Sequence, residues 1–362
     1  NEDGCMDALN DVVVTGIEKK MGLHGSPTCA VSLGSRGQCR GLLLGHPGQG
    51  MEIMFHMMNE VRLEVGTQAF TSANLAYLYA LDYAKSRHQG RHISQLSNRE
   101  AKQVPIIQHP DVQRMLLKMK SCVEGLRSLT FFIAFCFDQK VIAQDPETIA
   151  HYTDLVDILT PIVKAYASEK GFDVCVEAMQ VFGGYGYTKE FPVEQILRDC
   201  KIASIYEGSN GIQAMDFLGR KISGKKGAML DALIREMDKT LQTAREHQDL
   251  SGFADQLDSA IQAFQERARA IAQAVFSAQA PSAFACAHPL LDACGDIVMA
   301  WMLLWGATIA VKHQDGKDQA FYRGKMKSVQ FFMASVLPVT MGKINTICPA
   351  DHPAVDVDAS LF

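Results

Sequence analysis

Residues 1–47 carry short β-branched runs, DVVVTGI, CAVSLG and CRGLLLG, separated by Gly, Pro and Asn, the pattern of strands and turns. From about Gly50 the apolar positions change period. Met54, Met58, Val61 and Val65 recur at steps of three or four, and Leu75, Leu78, Ala80 and Tyr83 continue the face, which predicts a helix. A polar loop over 90–110 ends it. A second helix is predicted from His109-Pro110-Asp111 through Met115, Met119, Val123, Leu126 and Leu129. A third begins after Asp145-Pro146 and is expected to break at Pro161, and a fourth over 165–182 stops at Gly183-Gly184.

Past these helices, Ser223-Gly224-Lys225-Lys226-Gly227 reads as a flexible basic linker. Amphipathic helices are predicted over 229–243 and 254–278, an apolar one over 297–311, and a last one over 321–347 divided at Pro338. The acidic tail from Pro349 to Phe362 is expected to lie on the surface. The pattern is that of a mainly α protein: a β-rich opening, a bundle of antiparallel helices, and a second helical part.

Composition narrows this only a little. The 362 residues are 48% hydrophobic and 21% charged, as in an ordinary globular protein. A net charge of −5 gives no global reason to hold nucleic acid, and Lys225-Lys226 is too short for a basic patch. Ten scattered cysteines without a CxxC pair read as buried free thiols of a reducing compartment, taken to be the cytoplasm. The opening NEDGCMDALNDVVV has no signal-peptide pattern and no initiator Met, as an interior piece of a longer protein would. The 297–311 run is shorter than the roughly 20 residues of a membrane span, so a buried helix is favoured over a membrane contact.

Chemistry concentrates in 180–213, QVFGGYGYTKEFPVEQILRDCKIASIYEGSNGIQ. Two Gly-Tyr steps follow a helix stop and would let backbone approach a flat ligand. Glu207 follows apolar Ile205-Tyr206 and precedes small turn residues; beside apolar groups its charged form would be destabilised and its proton affinity raised toward that of a useful base. Position alone favours a plainer reading, in which Glu207 sits in the first turn of a helix over 208–221 for its dipole.

The segments VFGGYGY and RDCKIASIYEGSNGIQ, with MNEVRLEVG and YAKSRHQGR upstream, resemble the C-terminal helical domain of the acyl-CoA dehydrogenase family, in order from about residue 11 to 222. GDIVMAWMLLWGA and DQAFYRGKMKSVQFF resemble the extra C-terminal domain of a bacterial branch that includes long-chain and 3-methylmercaptopropionyl-CoA dehydrogenases, and KMGLHGSPTC resembles that branch's β-domain. The resemblance implies the end of a β-domain over 1–47, a four-helix-bundle domain over 48–222 and an extra helical domain over 223–362. It also implies an N-terminal portion that this chain lacks.

The resemblance further implies that Glu207 is the base that takes the α-proton of an acyl-CoA thioester while hydride leaves the β-carbon for FAD N5, with an electron-transferring flavoprotein as partner. The Glu207 N–H and a ribityl hydroxyl of FAD would hold the carbonyl oxygen, and Gly208 would permit the close approach. Arg87 would contact the FAD pyrophosphate across a homodimer or higher homo-oligomer interface, although Gln89-Gly90 stand where the family commonly has an aromatic residue. A surface arginine at a helix end is the plain alternative. Gln180, Gly183 and Gly184 would meet the neighbouring subunit's FAD, though a helix cap alone explains the glycines. Ser209 replaces the usual threonine, keeping a hydroxyl for the flavin. Arg62 would lie near the substrate, with a structural ion pair as its alternative. His88 and His92 have metal-ligand spacing but no acidic partner between them, so no metal is expected. An acyl-CoA oxidase, or a non-catalytic CoA-binding homologue, are the rival functions.

Overall fold

The computed structural model describes residues 9–347 and 352–362. Cys5, Cys348 and the stretch 349–351 of the acidic tail lie outside the described residues.

Two compact units run over 1–60 and 61–362. In the first, strands β1 (Val12–Ile17) and β2 (Cys29–Leu33) pair antiparallel, with an irregularity between Val14 and Gly16. Val12, Val13, Val14 and Ile17 are exposed on both faces, so the ribbon has no core of its own. Its firmest point is Asp11, whose carboxylate accepts from the Arg36 backbone N–H at 2.5 Å. That bond, opposed by burial and helped by the Gln38 N–H, holds the carboxyl below its ordinary range.

Helix α1 (Gly50–Ser86) begins in this unit and runs on into the second. Beyond Val61 its buried face is a stripe of small residues, Ala69, Ala73, Ala76, Ala80 and Ala84. The helical unit continues with α2 (Pro110–Ile142), α3 (Pro146–Phe182), α4 (Val193–Lys201) and α5 (Asn210–Asp216). After α5 come a π-helical turn Phe217–Ile222, α6 (Ala228–Arg245), α7 (Gln248–Ala274) and α8 (Ala280–Ala285). The last three are α9 (Ala287–Ala310), α10 (Gln319–Ser335) and α11 (Leu337–Thr346).

Helix α3 is the axis. Every residue from Leu155 to Ser168 except Asp157 is buried, and α2, α4, α6 and α9 pack around it. Its approach to α1 is close because no side chain intervenes: a Cβ on Gly171 would stand 2.8 Å from the Ala69 carbonyl oxygen. The expected break at Pro161 does not occur. Pro161 removes one backbone donor, but tight packing on all sides holds the helix through that point. The expected linker is also not one. Lys225 and Lys226 form a tight left-handed turn, and Lys225 reaches Asp154 at 2.6 Å.

Helix α9 is the second axis. The stretch Ala287–His313 has the length and apolarity of a membrane span, yet 78% of its most apolar window is buried within the protein. Trp301 Nε1 donates to Thr240 Oγ1 at 2.8 Å, tying α9 to α6. A partly buried ionic knot joins α3, α9 and α11. Lys343 Nζ lies 2.7 Å from Asp292 and 2.6 Å from Asp296. Lys170 Nζ lies 2.9 Å from Asp292, and the Tyr166 hydroxyl donates to Asp296 at 2.7 Å. Burial alone would lower the Lys170 ammonium, but the Asp292 and Asp296 carboxylates outweigh it and hold it protonated.

Among the described cysteines, Cys136, Cys175, Cys200 and Cys294 are buried free thiols as expected, and Cys286 is buried too. Cys29 and Cys122 are only half-buried, and Cys39 is exposed because its loop in the ribbon unit has no core to enter.

Candidate active site

Two places in the helical unit gather the residues singled out in the sequence. The first is the turn between α4 and α5. Helix α4 tightens into a 3-10 turn, Ile202–Ser204, and the N–H groups of Ile205 and Tyr206 both donate back to the Ile202 carbonyl. The Tyr206 hydroxyl donates to Gln68 Oε1 on α1, which anchors this side of the turn. The backbone then turns left-handed twice, with φ of +57° at Glu207 and +88° at Gly208. For a side-chain-bearing residue this conformation costs about 1–3 kcal/mol and recurs where a residue must be aimed. Glu207 therefore precedes α5, which starts at Asn210, and is not the first-turn residue that position alone suggested.

The Glu207 carboxylate is half-buried. Among the described residues neither it nor the Glu207 N–H has a hydrogen-bond partner. Ser209 is exposed and its hydroxyl makes no capping bond. A Cβ on Gly208 would lie 2.7 Å from Gln213 Nε2 and 4.0 Å from Arg62 Nη2, so the turn rests on both side chains. Gln213 is fully buried, yet among the described residues neither end of its amide has a hydrogen-bond partner. Arg62 is buried as well, with Nε unpartnered. Burial pushes its guanidinium down, the Asp216 carboxylate opposes this, and Arg220 adds to it. The structural ion pair considered for Arg62 is absent among the described residues: Asp216 pairs with Arg220. Buried polar groups without partners mark a surface completed by something else.

One residue here escaped sequence reading. Lys164, in the apolar run PIVKAYA of α3, is wholly buried, and its Nζ donates to Asn210 Oδ1 at 3.2 Å. Burial, reinforced by Arg62, pushes the ammonium down to about 8, against the pull of Glu169 and Glu207. A lone charge inside the stretch 158–168, otherwise free of charge, was the signal that could have found it.

The second place lies where α1 and α3 end together. The Tyr83 ring stacks on Phe182 at 4.2 Å between centroids, which brings the end of one helix against the end of the other. Arg87 follows the last residue of α1, and its carbonyl accepts from the Ile106 N–H at 2.8 Å. Helix α3 is capped by Gly183 at φ +61°, a conformation that favours glycine. Between them is a cavity of about 330 Å³ whose lining includes Tyr83, Arg87, Gln89, Gly90, Gln180 and Gly183. Gly90 has φ +68°, and a Cβ there would stand 3.4 Å from the His109 ring. Arg87 Nε is buried and unpaired, and the guanidinium lies over the Tyr185 ring at 5.3 Å. Gly184 lines no part of the cavity and faces open space. A planar cation with a spare buried donor, an amide and a side-chain-free backbone suit a phosphate group. The turn and the cavity are separate: among the described residues no hydrogen bond or ion pair joins Arg87, Gln180 or Gly183 to Glu207–Ser209.

Residues 90–222 match the family model described as acyl-CoA dehydrogenase, C-terminal domain, and residues 233–358 match the one described as acetyl-CoA dehydrogenase C-terminal like. Along its whole length the chain is 36% identical, over 376 residues, to a butyryl-CoA dehydrogenase of Syntrophomonas wolfei, of which it covers 60%. The chain belongs to the acyl-CoA dehydrogenase family. It spans about 60% of the length of the curated acyl-CoA dehydrogenases it matches along its full length. The fold is shared with Caenorhabditis elegans ACDH-11 in complex with C11-CoA, at a TM-score of 0.75 and 19% identity over 93% of this chain and 52% of that one. It is shared also with an acyl-CoA dehydrogenase complexed with FAD from Bacillus anthracis, at 0.67 and 21%, over 92% and 55%. Of the site residues, Gln180 to Ser209 fall inside the first matched acyl-CoA dehydrogenase segment, whereas Arg62 and Arg87 precede it.

Proposed function

We propose that this chain is the base-bearing part of an FAD-dependent acyl-CoA dehydrogenase, in which Glu207 removes the α-proton of a saturated acyl-CoA thioester to give a trans-2-enoyl-CoA. The observation that carries the reading is the left-handed Glu207–Gly208 turn, which presents a carboxylate and a backbone N–H that are both without partners. A base must keep its lone pairs for the substrate, and a thioester oxygen that gathers charge needs a fixed donor within reach. Glu207 supplies the first through its carboxylate and the second through its own N–H.

Arg62 lies beside this turn, and Lys164 holds Asn210 behind it. Gly208 leaves room beside Glu207. Arg87, Gln180 and Gly183 are the residues proposed to hold FAD through its phosphates, with Gly184 and Ser209 as further contacts. Bound there, FAD supplies the two-electron acceptor that takes the β-hydrogen as hydride. Because the turn and the cavity are separate, a homodimer or higher assembly in which each subunit's cavity serves its neighbour's turn fits the arrangement. An electron-transferring flavoprotein is the proposed acceptor for the whole protein. The segments 1–47, 48–222 and 223–362 are kept as the proposed family domains.

The test is the flavin spectrum of the full-length protein. Glu207→Gln should keep its flavin band, while bleaching by acyl-CoA slows at least about a hundredfold, the scale of a lost general base. Bleaching at the normal rate in that variant would remove Glu207 from the role.

A further inference from the structure

The turn that carries Glu207 has little holding of its own. Helix α5 is seven residues long, and Ser209 contributes no capping bond. What fixes its far side is Asn210, almost fully buried, whose side chain is spent entirely on α3. Its Oδ1 accepts from Lys164 Nζ and Ser168 Oγ, both at 3.2 Å. Its Nδ2 lies within donating distance of the Ala165 carbonyl at 3.2 Å, Ser168 Oγ at 3.0 Å and Glu169 Oε1 at 2.9 Å. That same Glu169 oxygen is 2.8 Å from His288 Nε2. His288 belongs to α9, within the 233–358 segment that matches the C-terminal-like family model. Three side chains therefore lead from the core helix of that segment to the residue that follows Glu207-Gly208-Ser209.

We propose that His288 and Glu169 are positioning residues, through which the C-terminal-like segment orients the Glu207 turn by way of Asn210. This rests on the reading of Glu207 as the base. The anchor is sound at its origin, because α9 is buried along most of its length and tied down by the Asp292–Asp296 knot. Glu169 shares one oxygen between an amide donor and an imidazole donor. Losing the imidazole frees that carboxylate to turn toward water and loosens Asn210 with it. His288 is 43% exposed and Glu169 32%, so the link is worth less than a sealed ion pair would be.

The test uses the full-length, flavin-loaded protein and two readouts, the rate of flavin bleaching by acyl-CoA and hydrogen exchange at the backbone amides of 205–210. His288→Ala should slow bleaching about three- to tenfold, the scale of one partly exposed charge-assisted hydrogen bond. The KM for acyl-CoA and the flavin content should stay as they are, and exchange at 205–210 should quicken. His288→Gln, which restores a donor, should recover most of both changes. Should His288→Ala loosen exchange throughout the helical unit, Glu169→Gln is judged by the same criteria. Wild-type bleaching and wild-type exchange in His288→Ala, with Glu207→Gln inactive, would overturn the positioning role and leave the base in place. Normal bleaching in Glu207→Gln would overturn both.

Discussion

Lys164 and Asn210 meet in the closed interior of the helical unit, the ammonium donating to the amide oxygen across 3.2 Å. The first residue of α5 is thereby fastened to a cation that water does not reach, which sets a cost on the folded state that varies with pH.

The ammonium is pushed down to about 8 in the folded protein, from its ordinary 10.5. Below 8 both folded and unfolded chains carry the proton, and the folded one bears the full penalty. Between 8 and 10.5 the folded chain has released it while the unfolded chain has not, so this penalty fades as pH rises. Lys164→Met should therefore stabilise the protein at pH 7 by about 1–3 kcal/mol, and by clearly less at pH 9.5. Urea unfolding at the two pH values checks this, and an equal gain at both would refute the burial penalty.

Gly208→Ala asks a residue with a Cβ to keep φ +88° while that atom stands 2.7 Å from Gln213 Nε2. The amide is fully buried and has little room to retreat. The expected result is a loss of about 1–3 kcal/mol in stability, with acyl-CoA bleaching slowed at least as much as in His288→Ala. Unchanged unfolding and unchanged bleaching would show that the turn relaxes without consequence.

Arg87→Gln removes the guanidinium whose Nε is buried and unpaired. The fold should survive, because no hydrogen bond or ion pair of this side chain is seen among the described residues. FAD should be held about tenfold or more weakly, the worth of a charge-assisted phosphate contact. The flavin-to-protein absorbance ratio after gel filtration measures it. Arg87→Lys should recover little, since a point charge does not replace a planar fork. Full flavin retention in Arg87→Gln would move the phosphate site elsewhere.

Much of the fold could be read from apolar spacing. Met115, Met119, Val123, Leu126 and Leu129 are the predicted face of α2, and they are the buried ones. Pro161 misled because its local cost is visible in sequence, whereas the packing that outweighs it comes from four other helices. Ser223–Gly227 misled in the same way, since composition says flexible and the Lys225–Asp154 pair is distant in sequence. At the site, the motif around Glu207 pointed to a turn of small residues, and the backbone does turn there. The two left-handed residues and the unpartnered Arg62 Nε are products of tertiary structure that no spacing encodes, whereas Lys164 was legible from its apolar run.

The knot of Tyr166, Lys170, Asp292, Asp296 and Lys343 bears on where the helical unit can be divided. Its members come from both sides of residue 222: Lys343 answers Asp292 and Asp296 from within the later segment, while Lys170 and Tyr166 of α3 find carboxylate partners across that line. The boundary between the two matched segments is therefore not a boundary of packing, and a cut near residue 222 would take from α3 the carboxylates that hold the Lys170 ammonium protonated.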